Sequence, residues 1–151
     1  MRRFAIALAL SALPMPAAAQ EMCAGLNRIA AAAREPLPFA SLDRAREEIV
    51  PGLGNHCWIA TVEGQRTFVC SRGQFAPASL EREALGPMVR DCLGAERLPA
   101  RHFDSTWRYR TPDLVVTVGS HCNERCHVGR SAMLTFRRRA AGDAAQAPDS
   151  R

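Results

Sequence analysis

Hydrophobic and polar positions divide the chain into segments of helical and strand period. From Glu21 to Ala33, Met22, Leu26, Ile29, Ala30 and Ala33 recur near helical spacing, Cys23 stands one turn before Leu26, and Pro36 and Pro38 close the segment. Ser41-Leu42-Asp43 can cap a short helical turn running through Ile49, which Pro51-Gly52 ends. The pattern then changes to alternation. His56 to Val62 and Gln65 to Cys70 are two strand-like runs joined at Glu63-Gly64, a dipeptide suited to a two-residue hairpin turn. Counting outward from the turn sets Val62 opposite Gln65, Ile59 opposite Phe68 and Cys57 opposite Cys70. Cys57, Ile59, Phe68 and Cys70 then share the apolar, core-directed face, and Trp58, Ala60 and Val69 share the other.

From about Pro77 the helical period returns, with Leu80, Ala84, Met88 and Cys92 at four-residue steps and Gly94 as C-cap. Gly86-Pro87 predicts a kink or a brief break. Glu81, Arg82, Glu83, Arg90 and Asp91 read as its solvated side. The last third reads as a three-stranded meander. His102 to Arg110 carries Phe103, Ser105, Trp107 and Tyr109 on one side, Thr111-Pro112-Asp113 is a turn, and Leu114 to Val118 is the most apolar strand. A loop from Gly119 to Gly129 follows, and Arg130 to Arg137 returns as the last strand. The order α-ββ-α-βββ predicts a small single α+β domain, with helices on one face of a mainly antiparallel sheet and disulfides reinforcing it. The domain is expected to span residues 20–138, and residues 139–151, an Ala-rich tail with nothing to bury, are expected to be disordered. No internal repeat is present.

The first residues change the compartment. Met1-Arg2-Arg3, the apolar run Phe4 to Leu13 and the small-residue site Ala17-Ala18-Ala19 have the build of a signal peptide over residues 1–19, with cleavage after Ala19. Its short n- and h-regions are of bacterial type, so periplasmic or secreted localisation is expected. The run falls short of the roughly 20 apolar residues of a spanning helix, so no transmembrane segment is expected. Cys23 lies too far beyond the small residues for lipid attachment. The roughly 130 residues left after cleavage suffice for one core but not two.

All six cysteines fall after Ala19, an even number in an exported chain, which favours disulfides. About 15 pairings exist. The hairpin register favours Cys57 with Cys70, proximity favours Cys122 with Cys126, and Cys23 is then left to join Cys92 between the two helices. A competing scheme carries Cys57 and Cys70 to the helical cysteines, since all four face one core. The formal charge is +5, carried on the basic side entirely by arginine. Arginine forks suit phosphate. Here, however, they are scattered among acids, so no nucleic-acid partner is expected.

Candidate chemistry is sparse. Ser120 to His127 is the densest cluster, and His121, Cys122, Cys126 and His127 offer a thiolate and imidazole set suited to a soft transition metal. Cys122-x-x-x-Cys126-His127 also resembles the variant haem-attachment sequence of some c-type cytochromes, which implies a c-type haem as the other cofactor reading. Against both stands a small disulfide loop at a hairpin tip, which needs no cofactor. His102, Asp104 and Ser105 supply hydrolase residue types, but neighbours on a strand point to opposite faces and no G-x-S-x-G elbow is present. Glu47-Glu48 are adjacent on one short helix, unlike a glycosidase pair, and no thioredoxin-type C-x-x-C or phosphate-binding glycine loop occurs. What remains is a surface: Trp58, Trp107, Tyr109 and Arg108 are residue types enriched at interface hot spots, with Arg66 and Arg110 near them. The expectation is an exported, disulfide-bonded binding protein without catalytic chemistry of its own, engaging another protein or an envelope component, with a metal- or haem-binding protein as the alternative.

Overall fold

The computed structural model describes residues 16–43, 56–72, 78–99, 106–121 and 131–140. Helix α1 spans Ala17–Ala32 and helix α2 spans Ala78–Leu93, with a 3-10 turn at Ala40–Leu42 between them in sequence. Six strands, β1 (His56–Val62), β2 (Gln65–Arg72), β3 (Glu96–Arg97), β4 (Trp107–Arg110), β5 (Leu114–His121) and β6 (Ser131–Arg138), form one antiparallel sheet. Their order is β1-β2-β6-β5-β4-β3. The chain is α+β, as its alternating and helical segments predict.

The hairpin forms in the expected register, with Val62 opposite Gln65, Ile59 opposite Phe68 and Cys57 opposite Cys70. Glu63 and Gly64 both take positive φ, 52° and 75°, the backbone that a two-residue turn matched to strand twist requires. Cys57 and Cys70 are bonded across the pair with their Cα atoms 4.1 Å apart, the close spacing of a non-hydrogen-bonded position. A second bond, Cys23 to Cys92, joins the early turns of α1 to the last turn of α2. The competing scheme that carried Cys57 and Cys70 to the helices is therefore not formed. Cys122 and Cys126 lie outside the described residues, as do residues 1–15, the end of the expected helical turn at 44–49, and the tail beyond Ala140.

Both helices belong to one core with the sheet. Leu26 and Ile29 of α1, Leu85 and Val89 of α2, and Phe68, Phe136, Val116 and Tyr109 of the sheet are buried in a single cluster. Phe39 closes it from the segment after α1: it stacks on Phe68 with centroids 5.9 Å apart, and Phe68 in turn meets Phe136 at 6.2 Å. Phe39 holds this place in a left-handed backbone conformation, φ 63°, with its N–H donating to the carbonyl of Ala32 at 2.9 Å. A non-glycine residue in that region costs on the order of 1–3 kcal/mol, which burial of the ring offsets.

Several elements differ from expectation for identifiable reasons. Helix α1 begins at Ala17, not Glu21, because the alanines ahead of Gln20 continue the helical backbone. Helix α2 runs unbroken through Pro87. Pro87 and Glu83 are both exposed, so the carbonyl that loses its donor faces water. The buried stripe of α2 is Leu85, Met88, Val89 and Cys92, at i, i+3, i+4 and i+7; Ala84, placed on the apolar face by the four-residue steps, is exposed. Gly86 lies between the helix and the sheet, where a Cβ would come within 2.5 Å of Trp107 Cε3 and against the Tyr109 hydroxyl. The Gly-Pro pair that reads as a breaker is thus a close-packing position. Strand β5 extends to His121, beyond the expected end at Val118, because Gly119 keeps the ladder while lacking a side chain: a Cβ there would meet Thr106 Cγ2 at 2.6 Å. Strand β3, two residues long, shows no alternation and was not foreseen.

Two outcomes follow for stability. Removing the Cys23–Cys92 bond, which closes 69 residues, will destabilise the protein by about 4 kcal/mol, against about 3 kcal/mol for Cys57–Cys70, which closes 13; urea unfolding of the two double-serine variants measures the difference. Gly86→Ala will lower stability by about 1–3 kcal/mol through overpacking against Trp107 and Tyr109, in spite of alanine's higher helix propensity. A stabilised Gly86→Ala variant contradicts this packing.

Candidate functional site

Strand parity decides what each face of the sheet presents. On the helix side lie Cys57, Ile59, Phe68, Cys70, Trp107, Tyr109, Val116, Leu134 and Phe136, all in or against the core. The opposite side carries Trp58 and Val62 of β1, Val69 of β2, Thr135 and Arg137 of β6, Val115 and Thr117 of β5, and Arg108 and Arg110 of β4. Among the described residues no helix packs on that side. Among the described residues it is therefore the open face.

This parity separates the expected aromatic surface. Trp58 is on the open face and 45% exposed. Arg108 is on the same face, half-buried, with three strands between it and Trp58. Tyr109 is 2% exposed and lies in the core, so it is no part of an accessible surface. Trp107 shares its side of the sheet, half-buried, beneath the Arg97 guanidinium, whose carbon is 4.1 Å from the ring centroid. Trp58, Trp107, Tyr109 and Arg108 thus do not form one patch: Tyr109 and Trp107 alternate with Arg108 along a single strand, and the α2 side took the aromatics. Arg66 is also on the helix side, donating to the Pro38 carbonyl at 2.8 Å and reaching Asp43 at 3.4 Å.

The open face also carries polar pairs. Arg110 pairs with Glu96 at 2.6 Å, and Arg137 donates to Gln65 Oε1 at 2.8 Å. Thr67, between Ala60 and Arg137 in the ladder, and Val69, between Trp58 and Thr135, are almost inaccessible although they point to this side. The large apolar side chains exposed on this face, Trp58 and Val62, are both on β1. Arg97 was missed at the sequence level because a two-residue strand has no periodicity to read.

The cofactor candidates fall largely outside the described residues. His121 ends β5 opposite Ser131, whereas Cys122, Cys126 and His127 are not described, nor are His102, Asp104 and Ser105. Among the described residues no group of three or more His, Cys, Asp or Glu side chains is gathered as a metal site. Among the described residues, Glu35, Pro36, Leu37, Ala40 and Ser41 line a shallow depression. Its carboxylate is already engaged: Ser41 donates to Glu35 from its side chain and its backbone, which holds the carboxyl below its ordinary value. No helix of the described residues is long and apolar enough to cross a membrane. No family model, curated protein or solved structure matches the chain.

Burial raises the pKa of the Tyr109 hydroxyl above its ordinary 10.0, and the nearby Arg97 and Arg90 charges only partly oppose the shift. A group that ionises more readily unfolded than folded removes stability as pH rises past its unfolded pKa. Tyr109 is the only tyrosine in the chain, so phenolate absorbance reads this one group. Its midpoint will lie above 10.0 in the folded protein and near 10.0 in denaturant, and Tyr109→Phe will lessen the loss of stability at alkaline pH. A folded midpoint at or below 10.0 contradicts the burial argument.

Proposed function

We propose that the protein is an exported binding protein of the bacterial periplasm, without catalytic chemistry of its own, that engages another protein or an envelope component through the open sheet face. One observation carries the reading: the helices cover one side of the sheet, and the other presents an accessible tryptophan, Trp58, with Arg108 on the same face. Tryptophan and arginine are the residue types that most often dominate an interface. The leader-like Met1 to Ala19 segment supports export, and two disulfides suit an oxidising compartment. Cleavage after Ala19 removes only the first turn of α1, in which no residue is buried, so the core is compatible with processing.

A photo-cross-linking aromatic residue placed at position 58 or 108 in producing cells tests the reading, with Asn27, exposed on α1, as the control position. Discrete adducts to a component other than this chain are expected from 58 and 108 and not from 27. Trp58→Ala should weaken binding of that component by roughly tenfold or more. Equal labelling from all three positions, or none from 58 and 108, overturns the proposal.

A further inference from the structure

The two edges of the sheet are built in opposite ways. The β3 edge is two residues long and charged, Glu96 and Arg97, which discourages further strand pairing. The β1 edge runs for seven residues, His-Cys-Trp-Ile-Ala-Thr-Val, without lysine, arginine, acid, proline or glycine. Its pairing with β2 is continuous from His56 to Val62, so no bulge turns it away. Of the three large hydrophobic side chains exposed among the described residues, Trp58 and Val62 are both on β1 and on the same face. On its other side β1 has no partner strand among the described residues.

The hairpin determines which peptide groups that edge offers. In a two-residue hairpin the residues flanking the turn, Val62 and Gln65, exchange both hydrogen bonds. Alternation makes Trp58 with Val69 and Ala60 with Thr67 bonded pairs, and leaves Cys57, Ile59 and Thr61 at non-bonded positions, in agreement with the 4.1 Å Cα spacing of Cys57 and Cys70. The N–H and C=O groups of Cys57, Ile59 and Thr61 therefore point outward.

We propose that β1 pairs antiparallel with β1 of a second copy of this chain, about a two-fold axis at Ile59. In that register Ile59 exchanges both bonds with Ile59 of the second copy, and Cys57 does so with Thr61, so every outward group meets its complement. On the open face Trp58 stands opposite Ala60 of the second copy, a large ring beside a methyl at the closer-spaced position, and Val62 stands opposite His56. No like charges oppose. The Cys57–Cys70 bond and the turn hold the edge in place beforehand, which reduces the ordering that association requires. Because the symmetric pairing occupies the whole long edge and leaves, among the described strands, the short charged one, assembly closes at two. The inference uses edge backbone and stands apart from the partner proposed for the open face.

Sedimentation equilibrium of the purified protein from micromolar to millimolar concentration, combined with residue-resolved amide exchange, tests it. The expected result is a species of twice the chain mass that dissociates on dilution. The amides of Cys57, Ile59 and Thr61 should become at least about tenfold slower to exchange as dimer forms, with those of Trp58, Ala60 and Val62 unchanged. Thr61→Pro removes one outward N–H and leaves the β2 ladder intact; it should raise the dissociation constant at least about tenfold. Ala60→Lys, which sets a long charged chain opposite Trp58 with no backbone change, should shift it in the same direction. A chain that stays monomeric throughout, a dimer whose Cys57, Ile59 and Thr61 amides ignore concentration, or growth beyond two overturns the proposal.

Discussion

The parity of the β1–β2 hairpin is the constraint on which the rest of the structure depends. A turn of two residues with positive φ at Glu63 and Gly64 admits one register, and that register puts Phe68 and Cys70 inside and Trp58 outside. A slip of one residue would expose Phe68, the ring that links Phe39 to Phe136 across the core. The Cys57–Cys70 bond fits only this register, because a slip of one residue would turn the two Cβ atoms to opposite faces of the sheet. Phe68 then lies opposite Phe136 of β6, so the same parity passes from the hairpin to the C-terminal meander and fixes Leu134, Val116 and Tyr109 on the helix side.

The helices complete what the sheet alone cannot bury. Helix α2 approaches β4 closely because Gly86 has no side chain to hold it off Trp107 and Tyr109. Helix α1 is tied to the end of α2 by Cys23 and Cys92 and delivers Leu26 and Ile29 to the same core. Both helices lie on one side. The open face and the two unequal edges follow from this one-sided arrangement, and the surface readings of the molecule derive from them.

Much of the hairpin and meander was legible in the chain because the signals are local: a turn dipeptide, alternation, and a cysteine at each end. The pairing of β2 with β6 was not, since those strands are far apart in sequence and nothing local joins them. Helix α2 was legible as a helix but not in its orientation, because alanine fits either face and the Gly-Pro pair carries opposite meanings as breaker and as contact. The candidate surface was legible only as residue types. That Trp107 and Tyr109 lie under α2 while Arg108 and Trp58 face away depends on which side of the sheet the helices choose, and alternation alone is symmetric between the two.

The central claim is the hairpin parity, and nuclear Overhauser contacts between α-protons test it most directly. Antiparallel strands bring α-protons close at non-hydrogen-bonded pairs. Strong cross-strand contacts between Ile59 and Phe68 and between Thr61 and Arg66 are predicted, with none between Ile59 and Val69. Contacts displaced by one residue would place Trp58 with the core and Phe68 in water, and would remove the basis of both the open face and the paired edge.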